Sequence, residues 1–220
     1  MDTEKKQKLR RNERRLSESG GKAVNELFDI FNSSLFGGEL PRPRFLLYLA
    51  RSRTSADFLK EENTIRLMVY VKENSVYAEP YIGQFGFEKD CKAELLESIV
   101  HEMCHLWQAP LKEHLRFLFD EYWKLSQAKN FDEIRRREAE NKAYWIMHDS
   151  QFADKMRSLG IVETHSGKKM QYTSLEQIVP GGLFQKTLDN SKEQIEACLD
   201  SLIPEMLSYI KPRAVRERIG

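Results

Sequence analysis

One segment constrains fold and chemistry together: Ile99-Val100-His101-Glu102-Met103-Cys104-His105-Leu106-Trp107. Residues four apart share a helical face about one turn apart, so His101 and His105 can offer two imidazoles to one metal ion only if the segment is α-helical. The surrounding pattern agrees. Leu95, Leu96, Ile99, Val100, Met103 and Leu106 form a broad apolar face on a helix expected from Asp90, its cap, through Trp107. The two histidines share the opposite stripe with Glu94, Ser98 and Gln108, where a cleft can form. Glu102 sits about 100° further round the helix, close enough to reach a water held by the metal without being a ligand. Zinc brings the pKa of such a water from about 15.7 toward about 7, and Glu102 can accept its proton during attack on a carbonyl. The implied chemistry is amide hydrolysis. The competing reading is a chance HExxH on an ordinary helix, and the unbroken apolar face opposite the histidines argues against it.

A catalytic zinc takes three protein ligands and leaves a position open. A third histidine six residues beyond His105 is excluded, because Gln108 and Leu111 stand where that pattern needs Gly and His. His114, just past Pro110, reads as a surface residue. Glu138 or Glu140 would give a His₂Glu site, but they sit in a charged run that reads as a solvated helix face. His148 stands where that charged helix gives way to Tyr144-Trp145-Ile146-Met147, and it is the preferred candidate. Cys104 is read as a buried, inert thiol.

The 220 residues suit one domain with a tail or insertion. Val24, Leu27, Phe28, Phe31 and Leu35 predict a first helix stopped by Gly37-Gly38. Strands are expected at Phe45 to Leu49 and Thr64 to Val71. Residues 111–143 predict one long helix or a helical hairpin, and Ser191 to Gln194 starts a last helix with Ile195, Leu199, Leu202 and Met206 on one face. Residues 1–18 are expected to be a basic tail, 19–210 one domain and 211–220 a basic end. With 35 Lys and Arg against 34 Asp and Glu, overall charge favours neither a nucleic-acid nor an acidic partner. Lys5, Lys6, Lys8, Arg10, Arg11, Arg14 and Arg15 could contact DNA phosphates locally. Trp107, Trp123 and Trp145 could stack on bases, but packing in the core or an interface is the preferred reading. Three widely spaced cysteines fit reduced thiols in the cytoplasm, and no apolar stretch is long enough to span a membrane.

The chain resembles the SprT-like family of zinc metallopeptidases, which includes the Spartan DNA–protein crosslink proteases. The similarity runs through FDIFNSSLFGGELP from Phe28, the segment from Arg51 to Phe58, and LESIVHEMCHLWQ from Leu96. It continues through HDSQFADKM from His148 and IVPGGLF from Ile178. The resemblance implies a zincin-like α+β domain, one zinc, His148 as its third ligand, and substrates among proteins bound or crosslinked to DNA. Two departures stand out. Residues 111–143 look like an insertion between ligands, and Asp149 replaces the Gly or Asn that many relatives carry. The expectation is therefore a zinc metalloprotease with His101, His105 and His148 on the metal and Glu102 as acid/base. The alternatives are a catalytically idle, zinc-stabilised module that binds DNA or protein, and a hydrolase of some non-protein amide.

Overall fold

Phe28 and Phe45 meet in the core because a helix with an apolar stripe and a sheet with one buried face must cover each other. In a computed structural model, residues 13–50, 56–71, 80–81, 89–128, 132–162, 164–166, 169–171 and 178–208 are described. The basic runs before residue 13 and beyond 208, and residues 51–55 of the basic segment, lie outside them. The chain is mixed α+β.

The first helix, α1 (Glu18–Phe36), starts at Ser17, whose side chain accepts from the Gly20 N–H, and ends at Gly37 with φ 65°. Its buried stripe is Val24, Leu27, Phe28, Phe31 and Leu35, as its spacing predicts. Strands β1 (Glu13–Arg15), β2 (Arg44–Ala50), β3 (Ala56–Leu59), β4 (Thr64–Val71) and β5 (Pro80–Tyr81) form one five-stranded sheet. Its order is β1-β2-β4-β3, with β5 pairing the far end of β4. The β2–β4 pair is parallel, with Leu47 opposite Leu67, and the other pairs are antiparallel. Strand β1 thus falls within the stretch assigned to the tail. Its anchor is Arg66, which on the sheet face away from the core pairs with Asp57 of β3 and with Glu13 of β1 at 3.3 Å. Tyr48 lies under the same guanidinium at 4.3 Å.

Helix α2 (Lys89–Gln108) lays Leu95, Leu96, Ile99, Val100 and Met103 into the core. It begins one residue before the expected cap, Asp90. After a 3₁₀ turn (Glu113–Leu115) comes a helical hairpin, α3 (Arg116–Ser126) and α4 (Glu133–Met147), the second of the two arrangements that the spacing allowed. The hairpin stands apart from the core. Nothing in α3 is buried, and in α4 only Ala139 and Ala143 are, small residues that let the helices approach each other. Surface ion pairs tie its base to a 3₁₀ turn (Lys60–Glu62) after β3, Lys60 to Glu113 at 2.5 Å and Arg116 to Glu61.

Helix α5 (Ser150–Ser158) follows, then a β6 (Thr164–Ser166) and β7 (Lys169–Gln171) pair, α6 (Leu183–Asn190) and α7 (Lys192–Ser208). Gly160 and Gly182 make this end possible. A Cβ on Gly160, at φ 82°, would meet the Gly182 Cα at 2.9 Å, so the two backbones cross in contact. The Val179 and Phe184 N–H groups donate to the carbonyls of Gly160 and Leu159, each at 2.8 Å. Helix α7 buries Ile195, Leu199, Leu202 and Met206 against α1, and Glu205 accepts from the Ser17 backbone N–H and hydroxyl. Among the described residues no helix is long and apolar enough to cross a membrane.

Candidate metal centre

The histidines of α2 project from one face, and the chain returns at the end of α4 to bring a third beside them. The Nε2 atoms of His101 and His105 are 2.9 Å apart, those of His105 and His148 3.1 Å, and those of His148 and His101 3.4 Å. These three side chains form a group that could hold a metal ion. His114, Glu138 and Glu140, the other candidates, are exposed on the hairpin and its base and do not join it.

Several contacts orient the rings. His148 closes α4, and its backbone N–H donates to the Tyr144 carbonyl at 3.0 Å. Its Nδ1 lies 3.1 Å from the same oxygen, and since a carbonyl only accepts, Nδ1 carries the proton and Nε2 keeps its lone pair. Tyr144 also stacks on the His148 ring, 4.1 Å between centroids. Phe152, fully buried, touches all three imidazoles at centroid distances of 4.9, 4.5 and 5.0 Å. Burial pushes His101 and His105 well below the usual histidine range, and neighbouring imidazoles add to the effect in each case. Neutral rings are the form a metal requires.

Glu102 is 5% exposed and its Oε1 lies 3.8 Å from the His101 Nε2. Burial raises its carboxyl well above the ordinary range, the charge of Asp57 adds to the rise, and a hydrogen bond from the Phe58 backbone N–H opposes it. Strand β3 therefore reaches the motif through Asp57 and Phe58, a contribution the sequence reading missed. A protonatable carboxyl this close to the histidines can carry a proton between reacting groups.

A second feature was also missed. The Asp149 carboxylate accepts from Gln108 Nε2 at 3.1 Å, from Lys112 Nζ, and from the Phe152 N–H at 3.2 Å as the cap of α5. Burial disfavours that charge, but the bonds from Lys112 and Phe152 outweigh it and hold the carboxyl below its usual range. Asp149 thus fastens the residue after His148 to the end of α2. The signal was present in Asp149-Ser150-Gln151-Phe152, a helix-start pattern. Cys104 is buried and is not part of the histidine group. Trp107 packs partly against the core, whereas Trp123 and Trp145 are 48% and 52% exposed and are not core residues.

No protein-family model, curated protein or solved structure matches the chain.

Proposed function

We propose that the protein is a cytoplasmic zinc-dependent peptidase with a zincin-like, SprT-like catalytic centre: His101, His105 and His148 hold the metal and Glu102 is the acid/base. The observation that carries this reading is the convergence of three Nε2 atoms within 3.4 Å, with a buried carboxylate 3.8 Å from one of them. Tetrahedral zinc with Zn–N bonds of about 2.0–2.1 Å spaces its ligand nitrogens about 3.3 Å apart, close to these separations. Three imidazoles also leave one position open. Bound there, zinc would supply a Lewis acid for the scissile carbonyl and a water acidified toward pH 7.

The remaining work falls to the chain. Glu102 takes a proton from the attacking water and returns it to the leaving amine, its Oε1 lying 3.8 Å from the His101 Nε2. Phe58 orients the carboxylate through its N–H, and Phe152 and Tyr144 hold the imidazoles in place and keep the centre dry. Resemblance extends the reading to proteins bound or crosslinked to DNA.

Exposed aromatic residues on the hairpin favour a second reading, a zinc-stabilised module that only binds a partner. Glu102 separates the two, because a purely structural site has no use for a buried carboxyl beside its ligands. Glu102→Gln is expected to retain about one zinc per chain and to lose cleavage of casein, measured with and without DNA, by roughly a hundredfold or more. Loss of zinc in that variant, or unchanged cleavage, would remove Glu102 from this role.

A further inference from the structure

The hairpin and the histidine centre share one stretch of chain. Tyr144 stacks on His148, and Trp145 and Ile146, the next two residues, line an open groove of about 480 Å³ with Leu115, Tyr122, Lys142 and Asp149. Ligand sites measure roughly 300–1,000 Å³, so the groove has room for one large side chain and its neighbour. It is joined to the centre along the chain, since its lining residue Asp149 directly follows His148.

Charge narrows what it can hold. Lys142 Nζ stands over the Tyr122 ring at 5.3 Å and has no carboxylate partner among the described residues. Asp149, at the other end, is already engaged by Lys112, Gln108 and Phe152. The unbalanced charge in the groove is therefore one cation. Over residues 111–149 as a whole, however, eight Lys and Arg face eight Asp and Glu, so no basic surplus exists to follow a phosphate backbone.

We propose that this groove is a substrate subsite for a large apolar or aromatic side chain flanked by a carboxylate, presented by an extended polypeptide whose scissile bond lies at the three histidines. The proposal rests on the peptidase reading and names its substrate class. Tyr122 and Trp145 give the side chain two aromatic walls, and Lys142 meets the carboxylate where the same walls exclude part of its water. Burial of one Phe-sized side chain corresponds to a preference of roughly ten- to a hundredfold over Ala.

The test uses the zinc-loaded full chain with Trp145→Ala and Lys142→Glu, both at exposed positions of the hairpin. Four peptides carry Phe-Asp, Ala-Asp, Phe-Lys or Ala-Lys, placed in turn at each position flanking the scissile bond. At one placement the unaltered chain is expected to favour Phe-Asp over Ala-Asp by about tenfold or more in kcat/KM. Trp145→Ala should bring that ratio within about twofold, and Lys142→Glu should reverse the choice between Asp and Lys, with zinc content unchanged in both. The same peptides are measured as Kd on zinc-loaded Glu102→Gln. A Phe-Asp preference in Kd that Trp145→Ala removes, with no cleavage by any form, would sink the peptidase reading and leave the groove as a site for such peptides. Equal kcat/KM and equal Kd across the four peptides would overturn the proposal. So would a single-stranded oligonucleotide that binds more tightly than any peptide and loses that affinity in Trp145→Ala.

Discussion

His148 decides whether the histidine group can hold a metal, because His101 and His105 are already paired by the helix that carries them and two imidazoles alone make a weak site. His148→Ala is expected to lower zinc affinity by about a hundredfold or more, read by competition with a chelator. His114→Ala, Glu138→Ala and Glu140→Ala should each keep about one zinc, since those side chains face solvent. Zinc lost in a Glu variant and kept in His148→Ala would give a different ligand set. A second residue carries a pH signature. Glu97 of α2 is buried, and burial with the neighbouring Glu94 raises its carboxyl from 4.5 to about 8. Below pH 4.5 it is protonated folded or unfolded and has no effect on stability. Between 4.5 and about 8 the unfolded chain releases a proton that the folded chain keeps, so stability falls as pH rises, and above 8 the loss is complete. Glu97→Gln should remove up to about 1.4 kcal/mol per pH unit of that slope, measured by urea unfolding across the window. Identical slopes would mean that Glu97 titrates normally.

The secondary elements differ in how plainly the sequence announces them. Helices α1, α2 and α7 carry long apolar stripes, and their buried residues are those the spacing names, from Val24 to Met206. Strands β2 and β4 show as branched apolar runs. Strands β1 and β3 do not, because what orders them is distant: Glu13 and Asp57 both pair with Arg66, and no local pattern predicts that meeting. Helix α6 is only two turns long and was missed, and its anchor is Phe184 against Phe31, 5.7 Å between centroids. In the candidate centre, the shared helical face of His101 and His105, with Glu102 beside it, was legible from spacing alone. The supports around them come from three elements, Phe58 from β3, Tyr144 from α4, and Asp149 and Phe152 from the start of α5. The first two follow from no local pattern, whereas the helix start at Asp149 and the Phe152–Met156 spacing are legible in the sequence. The crossing at Gly160 can be tested directly. Gly160→Ala introduces a Cβ into the Gly182 backbone at positive φ, and it should cost about 1–3 kcal/mol in urea unfolding. A variant as stable as the parent would show that the crossing relaxes freely.

At the scale of the molecule, the core domain and the hairpin are unequal partners. The hairpin joins the rest through α4, which ends at His148, and through exposed ion pairs at its base that contribute little, about 0–1 kcal/mol each. Replacing residues 111–143 with a short Gly/Ser linker should therefore retain a bound zinc while changing substrate range or rate, read by metal analysis and a peptide panel. Identical activity toward every peptide would make the hairpin a bystander. The packing of α1 on α7 has a further result, which concerns the order of synthesis. Helix α1 is translated before α7, yet its buried face is fully covered only when α7 is free to dock. His101, His105 and His148 are all outside the exit tunnel before then. The nascent chain thus exposes the three histidines that could hold a metal ion while its core is still open, an order in which ion capture would precede, and help to template, the closing of the fold.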